Sequence, residues 1–89
     1  MITHQAIKKQ VRTFVFDNFI FDEETTLGDD DSFLENRIID STGVLELIMF
    51  VEETFGIEVA DEEVIPENLD SLERLAEYVM RKVYLVAAA

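Results

Sequence analysis

One hydroxyl stands out for chemistry. Ser41 follows Asp40 at the head of the stretch Ile39-Asp40-Ser41-Thr42-Gly43-Val44-Leu45-Glu46-Leu47-Ile48-Met49-Phe50-Val51-Glu52-Glu53-Thr54-Phe55-Gly56. The stretch reads as a helix, with Asp40 as N-cap and Gly56 where a C-terminal stop is expected. A serine there meets unpaired backbone N–H groups and the positive end of the helix dipole, a setting that welcomes a phosphate. Leu47, Ile48, Val51 and Phe55 make one apolar stripe, whereas Leu45 and Met49 lie off it. Glu46 is the only polar residue between Val44 and Val51. A helix that is apolar on two sides, in a chain too short to build a second covering layer, keeps one side for a partner.

Catalysis by the chain itself lacks a site. A nucleophilic Ser41 needs a base, and His4 is the sole histidine. With no carboxylate or second histidine at helical spacing, His4 reads as a surface residue. Asp40 is engaged as a cap, and paired acids such as Glu52 and Glu53 are ordinary on a solvated helix face. The 3 glycines are scattered, so there is no phosphate-cradling loop, and with no cysteine there is neither a thiolate nor a disulfide. Asp29-Asp30-Asp31 does not make a calcium loop: Phe33 stands where an oxygen ligand is required and no glycine follows in place. No catalytic and no metal site is expected, beyond weak, nonspecific divalent cation binding.

The elements that must position Ser41 follow from periodicity. Residues from about Thr3 to Asn18 form an amphipathic helix with Ile7, Val11, Phe14 and Val15 inward and Lys8, Lys9 and Arg12 outside. Phe19-Ile20-Phe21 leads into a long connection, roughly Asp22 to Ile39, pinned across the bundle by Leu27, Phe33 and Leu34. After the central helix, Ile57-Glu58-Val59 alternates as a short extended piece, and residues 61–65 suggest one helical turn ended by Pro66. Asp70 then caps a last helix, with Glu73 completing a capping box. Its face is Leu72, Leu75, Ala76, Val79 and Val83, with Tyr78 at an edge. The fold class is all-α: a small four-helix bundle, three helices long and one short, with a long loop after the first. Residues 1–86 make a single domain, and Ala87-Ala88-Ala89 reads as a tail or cloning remnant.

The chain has 89 residues and a formal charge of −13, which argues against nucleic acid as a partner. Between Arg37 and Arg74 there is no Lys or Arg, while Asp40, Glu46, Glu52, Glu53, Glu58, Asp61, Glu62, Glu63, Glu67, Asp70 and Glu73 all lie there. Such a field steers basic partners toward the Ser41 end. The start of the chain is not a signal peptide and no apolar run is long enough to span a bilayer, so a cytoplasmic, soluble monomer with no membrane partner is expected.

These residues resemble the prosthetic-group segment of an acyl carrier protein. The resemblance rests on Asp40-Ser41 followed by Val44-Leu45-Glu46-Leu47-Ile48-Met49 and Glu52-Glu53-x-Phe55. It extends upstream through Ser32-Phe33-Leu34-Glu35 and downstream through Gly56-Ile57-Glu58-Val59-Ala60-Asp61-Glu62-Glu63. It covers roughly the last two thirds of the chain. It departs from the family in Thr42 for the usual leucine, Gly43 for a common acidic residue, and Arg37-Ile38 where many members have Leu-Gly. The resemblance implies a 4′-phosphopantetheine arm on Ser41, with Asp40 as part of the motif. It implies that the arm holds an acyl or aminoacyl group as a thioester for partner enzymes. Thr42, Leu45 and Met49 would then line the partner-facing side, with Glu46, Glu52 and Glu53 offering carboxylates. Leu47, Ile48, Val51 and Phe55 would form the core that encloses cargo, and bulky Phe50 would restrict that cavity toward short or polar groups.

The implied partners are a phosphopantetheinyl transferase, an acyl- or aminoacyl-loading ligase and downstream transferases with basic docking surfaces. Fatty acyl, polyketide and aminoacyl cargo stay open, and the Asp-Ser-Thr-Gly version points to a specialised carrier. The alternative from another class is an acidic helical interaction module, with Ser41 unmodified and the Leu45/Met49 face binding a partner helix.

Overall fold

The structure is a computed structural model that describes residues 2–20, 24 and 26–88, the last four of these by backbone alone. Phe21 and Asp22, where the connection was expected to begin, and Ala89 lie outside the described residues. The four helices are α1 (His4–Phe19), α2 (Ser41–Phe55), α3 (Pro66–Leu69) and α4 (Leu72–Ala88), with a 3₁₀ turn at Asp61–Glu63. Three are long and one is a single turn, as the periodicity requires. No strand occurs among the described residues.

Helix α1 starts where Thr3 Oγ1 accepts from Ala6 N at 3.1 Å. Ile7, Val11 and Val15 recur every four residues and are fully buried, chiefly against α4, whose Leu72, Leu75, Ala76 and Val79 are also buried. Each such side chain stabilises the fold by about 1.5–3 kcal/mol. Lys8 departs from expectation. It is buried, not outside, because its ammonium reaches Asp29 Oδ2 at 3.0 Å and Glu73 Oε2 at 3.1 Å. A lysine tolerates burial only when its charge is met in this way. Arg12 adds a second bond to Asp29, at 2.7 Å, and one to the Leu27 carbonyl. The Asp29 carbonyl in turn accepts from Glu73 N at 2.9 Å.

The connection is therefore pinned by charge at Asp29 and by apolar anchors at Leu27, Phe33 and Ile39. Leu34 is not one of them; it is 46% exposed. Phe33 enters the core, and its neighbour is turned outward, held by Leu34 N donating to Asp70 Oδ1 at 3.0 Å. Asp70 also accepts from the Ser32 hydroxyl, and its carbonyl accepts from Phe33 N at 2.9 Å.

Asp70 is thus committed to the connection and does not cap α4. Ser71 is the cap, its Oγ accepting from Arg74 N at 3.1 Å. Glu73 binds Lys8 and His4 across helices and makes no capping box. Pro66 opens α3 instead of ending the turn before it, since a proline at the first helical position loses no hydrogen bond. Tyr78 is buried in the core, not at an edge, because Glu63 Oε1 accepts its phenol at 3.0 Å. Helix α4 runs on through Ala88, so the backbone of Ala87 and Ala88 is helical, not an unstructured tail.

Candidate functional site

Asp40 adopts an extended backbone, φ −92° and ψ −178°, and its Oδ1 accepts from Gly43 N at 2.7 Å. Its carboxylate is thereby spent on the cap, so it cannot serve Ser41 as a base. Ser41 is the first residue of α2 and is exposed, and its hydroxyl bonds to no described residue. The helix ends at Gly56, in the left-handed region at φ 67°, with its N–H on the Glu52 carbonyl at 3.0 Å.

Behind Ser41 the helix start is packed tightly. Gly43 is buried, and a β-carbon on it would lie 2.8 Å from Phe19 Cε1 and 3.0 Å from Ile39 Cγ2. The glycine that departs from the family pattern is therefore required by the close approach of Phe19.

In front, Thr42, Leu45, Glu46, Met49 and Glu53 share one outward face at helical spacing. Leu45 is 63% and Met49 59% exposed, so neither belongs to the core. Glu52 is not with them. It is half-buried and accepts from Val59 N at 2.9 Å, fastening the segment after Gly56. Leu47 and Val51 are buried; Ile48 and Phe55 are half-buried against the same core.

One turn after Ser41, Val44 borders a cleft of about 100 Å³. Phe33, Leu34, Val64, Ile65 and Leu69 complete its apolar walls, and Asp70 is its one charged neighbour. Phe50 does not narrow it. That ring stacks on Phe14, centroids 4.2 Å apart, on the side of α2 facing α1. Spacing rules miss this cleft because it joins three separate segments; the only local signal was the adjacent pair Val64-Ile65 before a proline.

The segment from Val59 to Val64 is held by Glu63, which accepts from Ala60 N at 3.0 Å, Tyr78 Oη at 3.0 Å and Lys82 Nζ at 2.9 Å. The Lys82 ammonium, then the Ala60 N–H, hold the Glu63 carboxyl below the usual carboxylate range. Burial, then the bond to Glu63, push the Tyr78 phenol well above its ordinary value.

His4 does not stand alone. Its Nε2 lies 3.2 Å from Glu73 Oε1, and one atom each of His4, Glu73 and Glu77 fall within 4.8 Å of one another. The two acids come from α4, so no spacing within α1 could reveal them. Lys8 already neutralises Glu73 from the other side. Among the described residues, no helix is long and apolar enough to cross a membrane.

No family model matches the chain. Individual curated proteins do. An acyl carrier protein of Thermosynechococcus vestitus is 35% identical over 82 residues, covering 92% of this chain and 98% of its own. One from Akkermansia muciniphila is 32% identical over 78 residues, covering 88% and 94%. One from Buchnera aphidicola subsp. Acyrthosiphon pisum is 29% identical over 76 residues, covering 85% and 91%.

Proposed function

This chain belongs to the acyl carrier protein family, a family of carriers and not of catalysts, and we propose that Ser41 is the attachment point of a 4′-phosphopantetheine arm. The observation that carries this reading is the Ser41 hydroxyl: exposed, bonded to no described residue, and placed at the first position of a capped helix. The fit is chemical as well as steric. Asp40 consumes the Gly43 N–H, which leaves the N–H groups of Ser41 and Thr42 to face a phosphodiester at the positive end of α2.

The arm supplies the thiol that a cysteine-free chain lacks, and an acyl or aminoacyl group is carried on it as a thioester. The chain's own contribution is presentation. Asp40 fixes the helix start, Gly43 seats it against Phe19, and Thr42, Leu45, Glu46, Met49 and Glu53 offer an apolar strip edged with carboxylates. A phosphopantetheinyl transferase with a cationic docking face provides the base that takes the Ser41 proton. The Ser41 oxygen forms a bond to the β-phosphorus of coenzyme A as the pyrophosphate bond breaks, and adenosine 3′,5′-bisphosphate leaves. Loading ligases and downstream transferases with basic surfaces are the further partners, in the cytoplasm.

Intact-protein mass spectrometry tests this. The protein is incubated with coenzyme A, magnesium and a broad-specificity transferase, beside Ser41→Ala. A gain of one phosphopantetheine on the parent only is expected. No gain with several transferases, on folded protein, would leave the acidic interaction module as the better reading.

A further inference from the structure

Resting on the reading of Ser41 as a loading site, we infer that Arg37 is a charge gate on the docking surface. It weakens engagement by enzymes whose faces are uniformly basic and so narrows the set of partners.

Three observations meet at this residue. First, Arg37 is the only Lys or Arg between Arg12 and Arg74, and it stands four residues before Ser41 in a field of carboxylates. Second, it is exposed, and its guanidinium makes no hydrogen bond or ion pair with any described residue, although Glu35 and Asp40 are close in sequence. An arginine kept for stability would be paired or packed.

Third, Arg37 sits at φ 57°, the only non-glycine with positive φ among the described residues. Left-handed backbone costs a β-carbon-bearing residue about 1–2 kcal/mol, which glycine would avoid. Strain retained at an exposed position points to a role for the side chain.

The turn that presents Arg37 is rigid. Arg37 N donates to the Leu34 carbonyl at 3.1 Å, and Ile38 N and Ile39 N both donate to the Phe33 carbonyl, at 2.8 and 3.3 Å. Phe33 and Ile39 are buried, so the turn is anchored on both sides. Four residues of chain keep Arg37 within about 15 Å of Ser41, inside the footprint of any enzyme that reaches the hydroxyl.

An enzyme drawn by Glu46 and Glu53 brings cations. One of them placed opposite Arg37 meets like charge, whereas a partner with a carboxylate there does not. Discrimination by a repulsive element of this kind acts on association and is removed by salt.

The test uses the full chain and a broad-specificity phosphopantetheinyl transferase with a cationic docking face, measuring KM and kcat for loading of Ser41. At an ionic strength of about 0.05 M, Arg37→Ala is expected to lower KM about 2- to 4-fold and Arg37→Glu about 5- to 10-fold, with kcat unchanged. Arg37→Lys should keep the parent KM, and all differences should vanish at about 1 M salt. Arg37→Gly separates charge from strain: it should melt higher than Arg37→Ala yet show the same KM. An unchanged or raised KM in Arg37→Glu overturns the gate, as does a lowered KM in Arg37→Gly alone. If every variant loads with one KM, the gate fails and the carrier reading stands; if folded parent is never loaded, both fall together.

Discussion

Phe19 Cε1 lies 2.8 Å from the point where a β-carbon on Gly43 would sit, so the last residue of α1 fits into the first turn of α2. The residue after the Asp-Ser-Thr run is small because another helix's side chain occupies its place.

That relationship decides the sign of Gly43→Ala. In an open helix the change would gain about 1 kcal/mol of propensity. Here it must displace an aromatic ring, an overpacking cost of about 1–3 kcal/mol. A net loss of about 1 kcal/mol is expected, lowering Tm by about 4–8 °C. Thermal unfolding followed by circular dichroism checks it; a Tm at or above the parent's shows that Phe19 moves aside freely.

The two apolar sides of α2 should separate cleanly. Leu47→Ala, in the core, is expected to cost about 2–5 kcal/mol in urea denaturation. Leu45→Ala and Met49→Ala should each stay within about 0.5 kcal/mol of the parent. Their effect should appear instead as a raised KM for loading of Ser41. If either destabilises the fold like Leu47→Ala, its exposed position is wrong.

Acid should release the connection at Asp29. The Lys8 ammonium, first by its hydrogen bond, holds the Asp29 carboxyl below its usual range, and Asp29 with Glu73 raises the Lys8 pKa. A depressed carboxyl contributes stability above its unfolded value and loses it as pH falls through the folded one. A raised lysine contributes below its unfolded value and loses it as pH rises through the folded one. The clasp is therefore intact across the neutral range and fails below about pH 4 or above about pH 10. Asp29→Asn should melt lower than the parent at neutral pH, and the gap should close as pH drops below about 4. A gap independent of pH would mean that the Asp29 carbonyl, not its charge, holds the loop.

Alkali acts on a different pair. Burial and Glu63 raise the Tyr78 phenol, so its contribution is complete below about pH 10 and lost as pH rises beyond. Tyr78→Phe should cost about 1 kcal/mol at neutral pH, because Glu63 keeps Lys82 and the Ala60 N–H. Denaturation at neutral pH and at about pH 11 should show the difference between parent and variant shrinking. A cost that grows with pH would refute the assignment.

Salt opposes these clasps but relieves the larger repulsion of a −13 chain. The expected balance is a higher Tm in added salt or divalent cations. An unchanged Tm would show that self-repulsion does not limit the fold.

Everything that follows from local spacing was legible in the chain. The three long helices, the Asp40 cap, the Gly56 stop, the exposed Ser41 and the outward Leu45 and Met49 each depend on residues within a turn or two of one another. Hydrogen bonding at helix ends and the 3.6-residue period are local physics, and they are written in the sequence. What the tertiary structure alone decided involves partners far apart along the chain. Lys8 is buried because Asp29 and Glu73 converge on it, Asp70 abandons its cap for Ser32 and Leu34, and Tyr78 enters the core because Glu63 awaits it. In each case a polar group had several local options of similar free energy. The choice fell to whichever distant charge or donor the packed helices brought within hydrogen-bond reach.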